Sequence, residues 1–405
     1  MPDAAALDAA DPLAFARQRF RLPAGLIYLD GNSLGALPAA TPAWLAEVTE
    51  QQWGEDLIAS WNKHSWIEWP TRIAGKLAAI LGAKESELLI ADSTSVSLFK
   101  LLAAVVCERN GRSIILTARS NFPTDLYVAA GVAEMLGLRL RTVESDEIVR
   151  AIDEEVAVVT LTHVDYRSSA THDMRRINDA AHARGALTLW DLSHSAGALE
   201  LALSETRTDL AVGCGYKYLN GGPGAPAFIY VAEHLQNELR NPLQGWMGHL
   251  DPFAFSSAYR AAIGIGRFQS GTPPILALAA LEAGINTFEG ITMDAIAAKS
   301  RSLSQLFIDE VEARCDSTVR LASPREPADR GSHVAFAHPE GYAVVQALIA
   351  RGIIGDFRAP DLMRFGFAPL YNSHADVVRA AQALAEILAT REWDQQRFKE
   401  RAKVT

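Results

Sequence analysis

The feature that most constrains the fold is a series of short apolar runs, separated by helical patterns, through the middle of the chain. Each run is five to seven residues long, the length and composition of a buried strand. The helical pattern over Met174–Arg184 ends before Gly185, a residue type that commonly follows a helix. Because strands alternate with helices, we expect an α/β fold with a mainly parallel sheet covered on both faces. The candidate strands are Ser113–Thr117, Val156–Thr162, Ala186–Asp191, Asp209–Cys214 and Ala227–Val231.

The last third of the chain has a different pattern. A loop rich in Gly and Pro, Gly264–Pro274, precedes two long helical patterns over Ile275–Glu289 and Met293–Cys315. Two further helical patterns lie at 342–351 and 376–390. Short strand candidates among them predict a small α+β domain, with strands at Val319–Ala322, Val334–His338, Ile353–Arg358 and Met363–Phe367.

The length of the chain, 405 residues, predicts more than one domain. A single hydrophobic core usually stops growing beyond roughly 250–300 residues. We expect a large domain over 60–285 and a small C-terminal domain over 286–405. Residues 1–59 are expected to pack beside the small domain.

Charge and cysteine content exclude several classes of protein. The formal net charge of −10 disfavours nucleic acid and anionic membranes as partners. The three cysteines are far apart and lack a C-x-x-C pattern, so we expect neither a disulfide framework nor a zinc site or other metal. Residues 1–11 lack the basic start and apolar run of a secretory signal. No stretch approaches the ~20 apolar residues of a membrane helix, and we therefore expect a cytoplasmic protein.

A carboxylate and a lysine stand at the ends of neighbouring strand candidates. Asp191 ends an apolar run, where an acid is poorly placed unless a charged group faces it. Such a carboxylate can pair with a protonated pyridine nitrogen. Lys217 lies 26 residues later, before a glycine-rich turn, as a candidate Schiff-base amine. Either residue alone fits a helix cap or a surface side chain, but the two together predict a site for pyridoxal phosphate (PLP).

Two other segments each fit two interpretations. Asp92–Ser97 precedes the helical run Leu98–Cys107, and hydroxyls with free N–H groups at a helix start suit a phosphate. A plain helix cap is the commoner use of such residues. In Asn121–Asp125, Phe122 could stack on a flat ring at the sheet edge, or it could cover the core while Asp125 caps a helix.

Taken together, these residues resemble the fold-type I PLP enzymes of the aminotransferase class V group, and within that group the kynureninases. The resemblance runs from residues 28–35 to residues 369–373. It implies the PLP-transferase fold, with a mainly parallel sheet of the seven-stranded type and a small α+β C-terminal domain. Its most specific pieces are YLDGNSLG, NFPTD, WDLSHSAG, CGYKYLNGGPG and GDFRAP.

The resemblance implies roles for the residues around the cofactor. Lys217 is expected to form the Schiff base and to carry protons, Asp191 to face the pyridine nitrogen, and Phe122 to stack on the ring. Tyr216 is expected near the phosphate and as the acid that protonates Cβ of the substrate, with a phenol pKa lowered by cationic neighbours. The other residues expected to line the cofactor are Thr94, Ser95, Asp125, Thr162 and His194.

Further positions concern the partner subunit and the substrate. Trp246 and Thr272 match family positions that reach the cofactor from the other subunit, so the resemblance implies a homodimer with shared active sites. Arg364 matches the arginine that binds the α-carboxylate of the substrate, and Arg358 is its competitor for that role. Thr272 and Trp61 stand where some relatives have Asn and His. That pattern resembles the bacterial type that prefers kynurenine to its 3-hydroxy form, although Trp61 could also fill the core.

The implied reaction is the hydrolytic β,γ-cleavage of L-kynurenine to anthranilate and L-alanine, with 3-hydroxykynurenine as a secondary candidate substrate. It belongs to the kynurenine pathway of tryptophan degradation and NAD biosynthesis. Transamination and cysteine desulfuration are the rival activities, and a desulfurase needs a mobile loop cysteine that this sequence does not supply. A non-catalytic PLP-binding protein is expected to have lost Lys217 or Asp191, and both are present.

Overall fold

The computed structural model describes residues 3–109, 111–315 and 317–401, and its architecture is α/β. One large mixed sheet, one small antiparallel sheet and a two-stranded pair account for the strands of these ranges. In chain order the strands are β1 (Ile27–Tyr28), β2 (Leu88–Ile90), β3 (Ile114–Ala118), β4 (Arg139–Val143), β5 (Val156–Thr162), β6 (Leu187–Asp191), β7 (Leu210–Gly213), β8 (Phe228–Val231), β9 (Arg320–Leu321), β10 (His333–Ala337), β11 (Ile353–Ile354), β12 (Asp356–Arg358) and β13 (Leu362–Gly366).

The α-helices cover both faces of the large sheet and one side of the small one, and short 3₁₀ turns connect many of them. No single helix in the described ranges has the length and apolarity to cross a membrane, and one pair bent by 82° passes on length and composition alone. The helices are α1 (Ala4–Ala9), α2 (Thr41–Glu47), α3 (Ser60–Lys63), α4 (Trp69–Leu81), α5 (Thr94–Glu108), α6 (Pro123–Leu136), α7 (Ile148–Ala151), α8 (Met174–Ala183), α9 (Ile275–Ile285), α10 (Met293–Arg314), α11 (Gly341–Ala350), α12 (His374–Thr390) and α13 (Gln396–Lys399).

The large sheet has seven strands in the order β2-β8-β7-β6-β5-β3-β4. Strands β3 to β7 run parallel, while β8 is antiparallel to both β7 and β2. Every residue of β5 is buried, as expected for a central strand covered on both faces. The predicted α/β fold with a mainly parallel seven-stranded sheet is confirmed.

The five strand candidates of the large sheet are confirmed to within one or two residues at each end, but two strands were missed. Strand β2 is only three residues long, too short for a clear pattern. Strand β4 lies at the sheet edge and carries Arg139 and Arg141, so it lacks the apolar pattern of a buried strand. Exposed sheet edges are commonly protected by such charged residues. The prediction of a single strand over Ile353–Arg358 was wrong, because β11 pairs with β1 while β12 pairs with β13.

The small sheet, in the order β12-β13-β10-β9, packs against α10, α11 and α12 around a second hydrophobic core. Phe307 lies at its centre, with its ring centroid 4.7 Å from that of Phe365 and 6.1 Å from that of Phe336. The N-terminal segment joins both cores, since Phe20 packs in the large core and Leu29 in the small one. The two cores support one large and one small unit, and we retain the division at 59 and 285 as a proposal. Residues 1–59 contribute to both cores, and Ile296, Ala368 and Tyr371 of the expected small domain pack in the large one.

Candidate active site

A cavity of about 240 Å³ opens at the carboxyl edge of the parallel strands. Thr162 ends β5 and Asp191 ends β6, and the carboxyl ends of parallel strands share the edge at which open α/β sheets bind ligands. The structure brings nine of the thirteen predicted site residues to this cavity. They are Thr94, Ser95, Phe122, Asp125, Thr162, Asp191, His194, Tyr216 and Lys217.

Lys217 is held at this edge by the backbone of the loop that follows β7. The Asn220 N–H donates to the Lys217 carbonyl at 2.9 Å, and the Gly35 N–H donates to the Tyr216 carbonyl at 2.7 Å. A Cβ atom at Gly35 would lie 2.4 Å from the Lys217 carbonyl oxygen, so only glycine permits this close approach. The YLDGNSLG segment therefore fixes the lysine loop from the side of the small domain.

Two aromatic rings flank the amine of Lys217. The Nζ atom lies 5.8 Å from the centroid of the Phe122 ring and 6.0 Å from that of Tyr216. The Phe122 ring is in turn held edge-to-face by Tyr166, with centroids 5.2 Å apart. The aromatic ring predicted to stack on a flat ligand thus stands beside the predicted covalent attachment point.

Asp191 and Asp125 form a buried pair of carboxyl groups in the cavity. The Ser193 N–H and hydroxyl donate to Asp191 Oδ1 at 2.8 and 2.6 Å. Burial raises the pKa of both acids, and the Asp191 charge raises the pKa of Asp125 further, well above its ordinary value. The Lys217 charge lowers the pKa of both acids, but hydrogen bonds from Ser193 and Asp125 oppose the rise at Asp191 alone, so Asp125 is the acid that takes up the proton first. A carboxylate there can face a cationic ring nitrogen.

His194 is neutral and has an unsatisfied nitrogen. Burial lowers its pKa well below the ordinary value, and the nearby Lys217 amine contributes to the fall. Its Nδ1 atom is buried without a hydrogen-bond partner, while its ring stands edge-on to His333 with centroids 5.4 Å apart. Since buried polar atoms are normally paired, this nitrogen is suited to a further hydrogen-bonding group.

The first turn of α5 supplies the remaining wall. Thr94 and Ser95 are its first two residues and line the cavity, while Ser93 caps the helix by accepting from the Val96 N–H at 3.4 Å. Helix N-termini present free N–H groups and a partial positive charge, which favour a phosphate. The helix-cap interpretation holds for Ser93, while Thr94 and Ser95 face the cavity, where the predicted phosphate contact remains a prediction.

The residues at the cavity match the groups of PLP one by one. Lys217 matches its aldehyde, Asp191 its ring nitrogen, Phe122 its ring face, and the start of α5 its phosphate. Two buried atoms without partners, Asp125 Oδ2 and His194 Nδ1, lie among them. Both the positions of the lining residues and the unpaired polar atoms among them therefore fit this cofactor.

Three predicted residues lie elsewhere in this single subunit. Trp246 and Thr272 are exposed and do not line the cavity, consistent with positions that act on a partner's site. Trp61 is partly buried against the large core, with its ring edge-on to Trp66 at 5.7 Å between centroids. Its core-filling interpretation is the one that these contacts support.

Arg364 does not line the cavity itself but contacts a residue that does. Its Nη1 donates to the carbonyl oxygen of Tyr166, which lines the cavity, and its side chain is buried. Arg358 is half-buried, and its Nη2 lies 2.8 Å from Asp356 Oδ2. Asp356 also pairs with Arg364, so both arginines meet at one aspartate, a residue that the sequence analysis did not single out.

The sequence analysis also missed cavity residues and misjudged one pKa. Thr124, Val164, Tyr166 and Ser193 line the cavity. All four follow strand ends closely, so the rule that ligands bind at that edge could have identified them. The expected lowering of the Tyr216 pKa was wrong. Burial raises this pKa, and Cys214 and Asp191 add to the rise.

Several solved structures share this fold. The chain superposes on cysteine desulfurase from Thermococcus onnurineus with a TM-score of 0.79 at 20% identity, covering 93% of this chain and 98% of the other. It superposes on a variant of the C–S lyase C-DES, with glycine covalently linked to its PLP cofactor, with a TM-score of 0.80 at 16% identity, covering 91% and 99%. At these identities the likeness concerns the fold.

Sequence relatives give the family. The chain is 48% identical to kynureninase from Pseudomonas fluorescens, covering 100% of this chain and 99% of the relative. It is 50% identical to kynureninase from Deinococcus radiodurans, covering 95% of both chains. The family model for the kynureninase C-terminal domain matches residues 296–384. The chain therefore belongs to the kynureninase family of PLP-dependent enzymes.

Proposed function

We propose that this protein hydrolyses L-kynurenine to anthranilate and L-alanine, consuming one water molecule in cleaving the Cβ–Cγ bond. The observation that carries the proposal is the convergence of Lys217 and Asp191 on one cavity whose wall is built from the family's motifs. None of the described residues that line this cavity is a cysteine, so a desulfurase nucleophile has no counterpart there.

Different residues of the cavity would hold different parts of the cofactor. Lys217 would hold it covalently, Asp191 would pair with the ring nitrogen, and Phe122 would cover the ring. Thr94 and Ser95, at the start of α5, would hold the phosphate. When bound, PLP supplies an electron sink for a carbanion at the α-carbon of an amino acid.

Two side chains are placed to move protons at the substrate. The Lys217 amine, freed when the substrate amine replaces it, would accept the proton from Cα. A phenol is protonated at neutral pH, and burial raises the pKa of Tyr216 further, so Tyr216 would carry a proton to donate to Cβ as the aromatic product leaves. Arg364 would hold the α-carboxylate and so orient Cα against Lys217.

The experiment is a turnover assay with purified protein, PLP and L-kynurenine, following anthranilate by fluorescence and L-alanine by amino-acid analysis. Equal amounts of the two products would support the proposal, and a parallel run with 3-hydroxykynurenine would rank the substrates. Protein that binds PLP and releases neither product would contradict it. Transamination and desulfuration would then be assayed instead.

We also propose that the protein is a homodimer with shared active sites. Trp246, Phe253, Phe255 and Ile263 are exposed by 41, 56, 78 and 80% in the single subunit. The rings of Trp246 and Phe255 are stacked with centroids 6.4 Å apart, which makes this an ordered apolar patch. Apolar patches on an isolated chain mark interaction sites, and Thr272 lies further along the same stretch of chain.

Shared sites are tested by mixing two inactive variants. A dimer of a Lys217→Ala subunit with a Trp246→Ala subunit would contain one site with both native residues, so co-expression should restore activity that neither variant has alone. Sedimentation should give a dimer for the wild-type protein. Absence of complementation in a proven mixed dimer would place Trp246 and Lys217 in independent sites.

A cytoplasmic location and a role in tryptophan degradation and NAD biosynthesis complete the proposal. The sparse cysteines support a reducing compartment, because secreted proteins of this size more often carry disulfides. The proposed substrate supports the pathway, since L-kynurenine is itself a tryptophan degradation product. Cell fractionation and growth on L-kynurenine, with and without the gene, would test the two parts.

A further inference from the structure

The buried guanidinium of Arg364 uses one of its edges to bind Asp356. The two residues stand opposite each other in the antiparallel pair β12–β13, so their side chains share a face. Arg364 Nε donates to Asp356 Oδ1 at 2.7 Å and Nη2 donates to Oδ2. Both side chains are only 1% exposed, which makes this a buried ion pair with two parallel hydrogen bonds.

The other edge of the same guanidinium is less well satisfied. Nη1 donates to the Tyr166 carbonyl oxygen, and Nη2 lies 3.5 Å from Ser33 Oγ, a long distance for a hydrogen bond. Tyr166 lines the cofactor cavity, so this edge lies next to the cavity wall. A carboxylate accepts from a guanidinium more strongly than a hydroxyl does, and the edge can therefore exchange the Ser33 contact for a substrate carboxylate.

Arg358 has a different position around the same aspartate. Its Nη2 lies 2.8 Å from Asp356 Oδ2, the oxygen that also accepts from Ser33 Oγ at 2.9 Å. Its side chain is 36% exposed, against 1% for Arg364. We call Arg358, Arg364, Asp356 and Ser33 the arginine cluster, which contains two positive charges and one negative charge.

We propose that Asp356 is a positioning residue for substrate binding, which holds one edge of Arg364 and so aims the other edge at the substrate α-carboxylate. Arg358 in this arrangement balances the charge of Asp356 and does not itself grip the substrate. The inference rests on the proposed function, since it assumes an α-amino acid as substrate.

The physical basis is preorganisation. A free arginine side chain loses rotamer entropy when it is fixed on a ligand, and Asp356 removes that cost before the substrate binds. A second positive charge is needed because a single arginine paired with Asp356 would offer the substrate carboxylate no net attraction. Arg358 supplies that charge from a position nearer to solvent, where its desolvation costs less.

The decisive variant is Asp356→Asn, which keeps the shape of the side chain and removes its charge. Loss of the Asp356 charge by itself would favour an anionic ligand, so a rise in KM reports the lost position of Arg364 and not the lost charge. We expect KM for L-kynurenine to rise roughly 100-fold, the scale of a misplaced binding group, with a much smaller change in kcat. The inhibition constant of the decarboxylated amine of kynurenine, which lacks the α-carboxylate, should not change. A structural role would weaken both ligands alike, so this pair of ligands separates positioning from general damage.

Two further variants and a control complete the test. Arg358→Gln should raise KM less than Arg364→Gln does, because it removes the balancing charge and leaves the aimed edge in place. Glu392→Gln is the matched control, since it removes a carboxylate that pairs with Arg351 in the same domain, where Nε and Oε2 are 3.0 Å apart. This control should leave KM unchanged. If Asp356→Asn does not fold, Asp356→Glu keeps the charge but displaces the guanidinium, and it should still raise KM.

Several outcomes would overturn the inference. Unchanged KM in a folded Asp356 variant, equal weakening of the carboxylate-free amine, or a larger effect of Arg358→Gln than of Arg364→Gln would each do so. These results presuppose wild-type protein that turns over L-kynurenine. Wild-type protein without turnover would instead contradict the proposed function, so the two failures are distinguishable.

Discussion

The cofactor cavity and the arginine cluster both bury charged side chains, but they treat the charge in opposite ways. In the cavity, burial raises the pKa of Asp125 and lowers the pKa of His194, which favours the neutral form of each. Each of the two side chains also has a buried polar atom without a hydrogen-bond partner. In the arginine cluster, Asp356 and Arg364 satisfy each other across a strand pair, and the pKa of Asp356 is lowered by Arg364 although burial opposes the change.

This difference indicates two ways of preparing a binding site. The cavity residues are arranged around groups that a tightly held cofactor brings, so their substitution is expected to affect mainly the chemical step. The arginine cluster is paired internally through Asp356, keeps one net positive charge and exchanges only one weak contact on binding, so its substitution is expected to affect mainly KM. Substitutions in the two regions can test that division.

Lys217→Ala should have the largest effect of all. Removing the amine removes both the covalent attachment of the cofactor and the base at Cα, so kcat should fall roughly 10⁴-fold or more. Anthranilate fluorescence measures the rate, and visible absorbance of the bound cofactor reports the loss of the covalent link. Lys84→Ala, at an exposed lysine paired with Glu233, is the matched control and should retain normal turnover. Normal activity of Lys217→Ala would remove the basis for the whole assignment.

Asp191→Asn should retain cofactor binding while slowing removal of the Cα proton. The amide keeps the shape but cannot stabilise a cationic ring nitrogen, and loss of one such electrostatic group lowers kcat by roughly 100- to 1000-fold. Stopped-flow measurement of Cα deprotonation, with deuterium at Cα, would isolate the step. An unchanged rate would mean that another residue faces the ring nitrogen.

Arg364→Lys should mainly raise KM for L-kynurenine, in contrast to the Lys217 and Asp191 variants, which should mainly lower kcat. Lysine lacks the planar fork and cannot hold Asp356 by two hydrogen bonds while it donates to the substrate. A charged hydrogen bond contributes about 1.5–3 kcal/mol, which corresponds to roughly tenfold or more. Steady-state kinetics would separate KM from kcat. If KM were unchanged here but raised in Arg358→Lys, the carboxylate would belong to Arg358.

The smallest effect concerns Asp30, beside the arginine cluster. Burial raises the pKa of Asp30 to about 7, and the Asp356 charge adds to the rise while Ser33, Arg364 and Arg358 oppose it. Below pH 7 Asp30 is neutral and the surrounding charges sum to one positive charge. Above pH 7 they cancel, so KM should rise by roughly fivefold, the scale of about 1 kcal/mol for a partly screened charge pair.

Asp30→Asn should abolish this rise, because its side chain stays neutral at every pH. The same raised pKa of Asp30 also makes the folding stability depend on pH. A raised pKa favours the protonated form in the folded state, so this contribution is fully present below the ordinary value of about 3.9 and is lost as pH rises through about 7. Between pH 5 and 8, the melting temperature of the holoenzyme should therefore fall less in Asp30→Asn than in the wild-type protein. Parallel KM and melting profiles for the two proteins would contradict the prediction.

Most of the large domain could be predicted from the sequence because its signals are local. Strand β5 is a continuous apolar run, and Asp191 and Lys217 follow strands at the one edge where parallel strands all end. Their order along the chain therefore predicts that they meet. Strand β4 escaped prediction because its polar residues suit a sheet edge, a position that depends on pairing with β3.

The arginine cluster could not be derived in the same way. Asp356 and Arg364 lie eight residues apart, and the resemblance favours Arg364 while leaving Arg358 as its competitor. The register of β12 on β13 makes Asp356 and Arg364 direct partners, and the docking of the N-terminal segment brings Ser33 and Asp30 to them. The same holds for the Tyr216 pKa, which neighbouring charges suggested would fall and which burial raises.

Residue type and spacing along the chain predict the α/β architecture and the meeting of Lys217 and Asp191 at one sheet edge, because they fix local structure and the edge at which strands end. The family comes from the resemblance of the motifs, which also supports the cofactor. Only the tertiary structure decided which carboxyl group keeps its proton and which edge of Arg364 remains for a ligand. Both depend on burial and on contacts between segments far apart in the chain, which set desolvation and hydrogen bonding and leave no local pattern in the sequence.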